Sequence, residues 1–147
     1  MFKNYRIKLS LGLAIFALGV ISGNFIQVTA VAEAQTSNRV FELRTYTTLP
    51  GRLDALHARF ANHTISLFER HGMTNIGYFV PQDAPLAENT LIYVLAHDSR
   101  EAAKASWAAF VADPEWLEAR EASISDGPIL VKVENVFMDA TDYSMMK

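Results

Sequence analysis

Glu42, Arg44 and Tyr46 stand two residues apart in the run VFELRTYTT, so in an extended segment their side chains leave the same face. A carboxylate, a guanidinium and a phenol on one face are the parts of a site that orients a small anion or a phenol. Arg44 would grip an anionic or carbonyl oxygen with its planar fork, and Tyr46 would give or take a hydrogen bond at the same ligand. His97 closes a later extended run, TLIYVLAH, on the same parity as Tyr93. An imidazole there could serve as a general base, because its unperturbed pKa lies near neutrality. The candidate ligand-binding set is therefore Arg44, Tyr46, Tyr93 and His97, with Tyr46 and His97 as the candidate acid and base. An architectural reading competes with it. Lys132 and Glu134 share a strand-like run near the end of the chain, and opposite charges facing Glu42 and Arg44 across adjacent strands would fix register without any chemistry. Ion pairing explains Glu42, Lys132 and Glu134 better than catalysis does, and a strand-end His97 bonded to backbone near Asp98-Ser99 needs no substrate.

Other reactive side chains converge less. His57, His63 and His71 share one helical stretch, but His57 and His71 are roughly 21 Å apart along a helix axis and cannot share one metal. No His pair has the spacing of one helical turn and no His-Glu-x-x-His occurs, so no metal site is expected. His71 ends its helix, where an imidazolium is favoured. Trp107, Phe110 and Trp116 fall at helical spacing and read as core. No Gly-x-Ser-x-Gly elbow is present, and the carboxylates are too scattered for a glycosidase pair.

The elements that must position these residues follow from periodicity. Val40 to Thr48 alternates and is rich in β-branched and aromatic residues, which predicts a strand; Pro50-Gly51 ends it. From Arg52 to His71, Leu53, Leu56, Phe60, Leu67 and Phe68 predict one helix, stopped by Gly72. Met73 to Val80, Thr90 to His97 and Leu130 to Met138 predict three more strands, with a loop over Gln82 to Asn89. Ser99 is placed to cap a helix carrying Trp107, Phe110 and Val111, and Asp113-Pro114 restarts helix with Asp as cap and Pro in the first turn. The order β-α-β-β-α-β is the ferredoxin-like α+β arrangement, a four-stranded antiparallel sheet with helices on one face. In the third strand, Leu91, Tyr93 and Leu95 point one way and Ile92, Val94 and Ala96 the other. Both faces are apolar, so the face without helices needs a cover, and a second copy packed sheet on sheet is expected. The apolar set Phe41, Leu43 and Thr45 is expected under the helices. That leaves Glu42, Arg44 and Tyr46, with Lys132 and Glu134, toward the inter-sheet space. A site, if formed, would lie there or at the helix side of the third strand's end.

The N-terminal stretch has a different character. Lys3, Arg6 and Lys8 precede the apolar run Leu9 to Ile21, and Ala32-Glu33-Ala34 has the small-residue spacing of a cleavage site. Residues 1–34 are expected to be a secretory signal peptide, with an uncleaved membrane anchor as the alternative. Residues 35–39 then form a linker, 40–140 the domain and 141–147 a polar tail, and the protein is expected in the periplasm or outside the cell. Over 147 residues, 13 Lys+Arg face 16 Asp+Glu, a net charge of -3 that lacks the basic footprint of a nucleic-acid binder. The absence of Cys removes disulfides, thiolate catalysis, Cys-based zinc and iron–sulfur ligation.

Four blocks in order, FELRTYTTLPGRLDAL (Phe41–Leu56), ERHGMTNIGYFV (Glu69–Val80), NTLIYVLAH (Asn89–His97) and AAFVADPEWLEAR (Ala108–Arg120), resemble the NIPSNAP family. The resemblance implies a dimeric α+β barrel in which two ferredoxin-like sheets pack face to face. The family name echoes a nitrophenyl-phosphatase label, but no phosphate-cradling loop or nucleophilic Cys is visible here. Eukaryotic members are linked to mitochondria and membrane traffic, and bacterial members bring no chemistry to carry over. Some dimeric α+β barrels bind haem, an analogy of fold alone; no cofactor is expected. Two readings follow: an exported homodimer that binds a small molecule or a partner protein, or a cofactor-independent monooxygenase or isomerase acting on a small aromatic or carbonyl compound. A closed inter-sheet pocket containing His97 would favour the second.

Overall fold

The structure, a computed structural model, describes residues 39–147; the proposed signal segment and most of the linker lie outside them. Strand β1 (Val40–Thr48) leads into α1 (Leu53–Arg59), a single widened π turn (Phe60–Thr64) and α2 (Ile65–Arg70), so the predicted helix is continuous but carries one extra residue in its middle. The Thr64 hydroxyl donates to the Arg59 carbonyl at 3.2 Å within that turn. Gly72, at φ 75°, takes the left-handed conformation that ends the helix, a position a Cβ would strain. Then come β2 (Thr74–Phe79), a short 3-10 turn (Leu86–Glu88) in the expected loop, β3 (Thr90–His97), α3 (Arg100–Ala112), α4 (Pro114–Ser123) and β4 (Leu130–Asp139). Both predicted caps form. Ser99 accepts from the Ala102 N–H at 3.0 Å, and Asp113 accepts from Glu115 N–H at 2.8 Å with Pro114 opening α4. Among the described residues no helix is long and apolar enough to cross a membrane.

The sheet is antiparallel with strand order β2-β3-β1-β4. Arg44 lies opposite Tyr93 on one side and Asn135 on the other, and Val40 lies opposite His97. This register corrects the expected facing. Tyr46, Leu91, Tyr93 and Leu95 belong to the same buried cluster as the helix residues Leu56, Phe60, Leu67, Phe68 and Phe110. Glu42, Arg44, Tyr46 and His97 therefore point under the helices, and Phe41, Leu43, Ile92 and Val94 take the open face. Both faces of β3 are apolar, and in β1 hydropathy favoured the wrong face; the polar set is buried under the helices because partners on distant elements satisfy it.

Lys132 and Glu134 lie opposite Thr47 and Thr45, on the face away from the helices, and bond each other at 2.7 Å in solvent. They do not meet Glu42 or Arg44. On the helix side β4 presents Val133, Asn135 and Phe137, and Val133 is 44% exposed at the sheet's edge. The open face carries Phe79, 57% exposed, and Val136, 55% exposed, flanking Leu43, Ile92 and Val94. At one end of that face the C-terminal residues Ala140, Thr141, Ser144 and Met146 form a cleft with Phe41, Val94 and Met138.

Candidate functional site

Glu42 is the centre of the polar cluster beneath the helices. Its Oε1 accepts from Arg44 Nη1 at 2.7 Å and from Asn135 Nδ2 at 3.0 Å. Its Oε2 accepts from Trp107 Nε1 at 2.7 Å and from His97 Nε2 at 3.1 Å. Four donors from β1, β4, α3 and β3 match the roughly four lone-pair positions of a carboxylate. Burial alone would raise the Glu42 pKa; the hydrogen bonds from His97, Trp107 and Arg44 overcome it and hold the group at about 2.

Arg44 continues the chain of contacts. Its guanidinium stacks on the Trp107 ring at 4.1 Å, and Nη2 donates to the Tyr46 hydroxyl at 3.3 Å. Burial opposes its charge, but the Tyr46 and Tyr93 oxygens and the Glu42 carboxylate raise its pKa beyond the ordinary arginine value. Tyr46 meets Tyr93 edge-on at 5.3 Å, and Tyr93 stacks on Tyr78 at 5.4 Å. Tyr93 is wholly enclosed, and burial pushes its phenol well above 10. Among the described residues the Tyr93 hydroxyl, Arg44 Nε and His97 Nδ1 are buried with no hydrogen-bond partner.

The four sequence-predicted residues thus share one face, but not one point. His97 sits opposite Val40 and Tyr46 opposite Leu91, six steps along the strand, so their backbones are about 20 Å apart. Their side chains lean toward each other, with the Glu42 carboxylate and the Arg44 guanidinium standing between the Tyr46 hydroxyl and the His97 imidazole. Arg44, Tyr46 and Tyr93 do meet. His97 bonds the Glu42 carboxylate rather than backbone, and it faces the helices rather than a space between sheets. His71 is held by Asp113 at 2.7 Å, a contact that draws the Asp113 carboxyl below its ordinary value. His57 lines an apolar cleft of about 260 Å³ with Phe60, Tyr78 and Phe79. No group of three or more His, Asp or Glu suited to a metal occurs among the described residues.

Sequence reasoning missed two members of the network. Helical spacing marked Trp107 as core, and its indole N–H, which needs an acceptor when buried, was the unused signal. Asn135 was hidden because its role depends on the β1–β4 register.

The sequence model of the NIPSNAP family matches residues 41–145, which takes in every residue of this network. The chain belongs to the NIPSNAP family. Solved structures with the same fold include a NIPSNAP-like domain protein from Burkholderia xenovorans, 24% identical with a TM-score of 0.64 over 74% of this chain and 90% of that one. A NIPSNAP family protein of unknown function from Agrobacterium tumefaciens is 24% identical, with a TM-score of 0.66 over 76% of this chain and 96% of that one. A second Agrobacterium tumefaciens member is 19% identical, with a TM-score of 0.65 over 74% and 99%. No curated protein matches. In this NIPSNAP domain the polar cluster is built from side chains of β1, β3, β4 and α3, and its charges neutralise one another.

Proposed function

We propose that this NIPSNAP domain is an exported, sheet-to-sheet homodimer that binds a small molecule within each protomer and does not transform it. The saturation of Glu42 carries the reading: the acid, base and cation that catalysis would need are spent on each other. A general base must reach a substrate proton within about 2.6–3.2 Å or through one water, and His97 already donates to Glu42 from Nε2 and is fully enclosed. What is left for a ligand is Arg44, whose side chain keeps 14% exposure and whose Nε has no partner among the described residues, beside Tyr46; Tyr93 is as enclosed as His97. These groups suit a ligand with a carbonyl, phenol or carboxylate oxygen. The apolar open face, with Phe79 and Val136 exposed in the single chain, supplies the dimer surface.

Native mass spectrometry of protein purified from its own host tests both parts. A dimer carrying an added small mass, lost in Arg44→Ala, is expected; a ligand-free monomer at micromolar concentration overturns the reading. A cofactor-independent oxygenase or isomerase is the second reading, and the unpartnered His97 Nδ1 favours it. Conversion of the retained molecule by the wild-type chain, abolished in His97→Ala, would replace binding with turnover.

A further inference from the structure

A second buried cation lies between α1 and α4. Arg59 ends α1 where the widened turn begins, and only 7% of it is exposed. Its guanidinium lies 5.4 Å from the centre of the Trp116 ring, and Nη1 donates to the Ser123 hydroxyl at 3.2 Å. That hydroxyl is itself committed, donating to the Arg120 carbonyl at 2.7 Å. Among the described residues Arg59 has no carboxylate partner, and its Nε is buried with nothing to bond. An arginine removed from water is normally paired, because an isolated buried charge is costly. Burial lowers the Arg59 pKa and the nearby Arg120 charge lowers it further, against the pull of the Tyr46 and Tyr93 oxygens.

The same side chain lines a cleft of about 390 Å³ between α1 with its π turn and α4. Its walls are largely small and uncharged, with Ala55, Ala58, Ala119 and Ala122 facing it. Asn62 and His63 stand at one rim and Ser125 and Asp126 at the other. Asp126 is the carboxylate of this lining, and Arg52 holds both its oxygens at 2.6 Å, so it does not neutralise Arg59. The cleft therefore has an unsatisfied positive charge at its base and an apolar wall above it.

We propose that the α1–α4 cleft binds a small organic monocarboxylate, with Arg59 as the anion-holding residue and the alanine wall receiving the apolar body. Nη1 is held by Ser123 and Nε is enclosed, so Nη2, which has no partner among the described residues, is the donor left for a carboxylate oxygen in the cleft. The alanine wall carries no second donor, so a ligand with one anionic group and an apolar body fits the cleft better than inorganic phosphate. Tyr46 and Tyr93 lie close enough to act on the charges of both Arg59 and Arg44, but the proposal does not rest on dimerisation or on how the Arg44 cluster is used.

Titration of the 15N-labelled full chain with benzoate, followed by amide chemical shifts, tests the proposal. Saturable shifts confined to residues 58–63 and 119–126 are expected. In Arg59→Met, which keeps the stem against Trp116, benzoate should bind at least roughly tenfold more weakly. In Ala122→Leu, which fills the exposed cleft and leaves Arg59 in place, binding should also fall. The second variant decides the matter if the first fails to fold. Absence of saturable shifts in the wild type, or unchanged binding in Ala122→Leu, overturns the site. Inorganic phosphate binding more tightly than benzoate overturns the monocarboxylate class.

Discussion

Glu42 shows at the residue scale how a charge can stabilise a fold when every one of its lone pairs is answered. Removing one side of a buried, hydrogen-bonded ion pair typically costs about 3–5 kcal/mol, because the partner stays buried without a counter-charge. Glu42→Gln keeps the shape and removes the charge from beside Arg44, so a loss in that range is expected in urea unfolding at pH 7. The pH dependence has a definite sign. Glu42 titrates at 4.5 when unfolded and at about 2 in the fold, so its contribution is complete above pH 4.5 and disappears as pH falls toward 2. The size is roughly 3 kcal/mol. Denaturation midpoints at pH 7, 4 and 3 should fall steeply for the wild type and more shallowly for Glu42→Gln. The individual residues were legible as a polar face of β1, but their partners were not. Trp107 lies 65 positions away from Glu42 and Asn135 lies 93, and local spacing says nothing about which of two apolar faces a helix will cover.

Elements were the most legible scale, because their signals are local. The bounds of β1 and β3 coincide with the alternating runs, and the Ser99 and Asp113 caps follow from side-chain oxygens placed just before helical periodicity. Ser99→Ala should cost about 1 kcal/mol, the ordinary value of an N-cap, seen as a melting point lower by roughly 4–8 °C for a domain of this size. The π turn was not legible, since it shifts the phase of the apolar stripe by a single residue. It swings Phe60 and Thr64 into the core while leaving Arg59 beside α4. Such a turn is frequent where a helix serves function rather than packing alone.

For the whole molecule, the proposed dimer would make the open sheet face the determinant of the association state. Val136 is more than half exposed in the single chain, so an acidic residue there leaves the protomer intact but would place an unpaired carboxylate in the proposed sheet-to-sheet contact. Val136→Asp is expected to run as a folded monomer in light scattering after size exclusion, with an unchanged circular dichroism spectrum. A mass equal to that of the wild type would place the contact elsewhere. The same substitution at Leu91 or Leu95 has a different outcome. Both lie under the helices, and the expected result is unfolding at any concentration.

The placement of β1 at the middle of the sheet also governs how the chain reaches this state. β1 is the first strand of the domain, yet its two neighbours are the third and the last. Its pairing with β4 joins residues 40–48 to 130–139, across nearly the full length of the domain. Long-range pairings of this kind slow folding, because loop closure must precede any gain from the contact. Refolding is therefore expected on the millisecond-to-second scale in stopped-flow fluorescence of Trp107 and Trp116. A ribosome-bound chain that has not yet released β4 holds β1 with one bare edge and Glu42 one donor short. Synthesis must reach β4 before the sheet can close, which leaves the chain unfolded for the export proposed above.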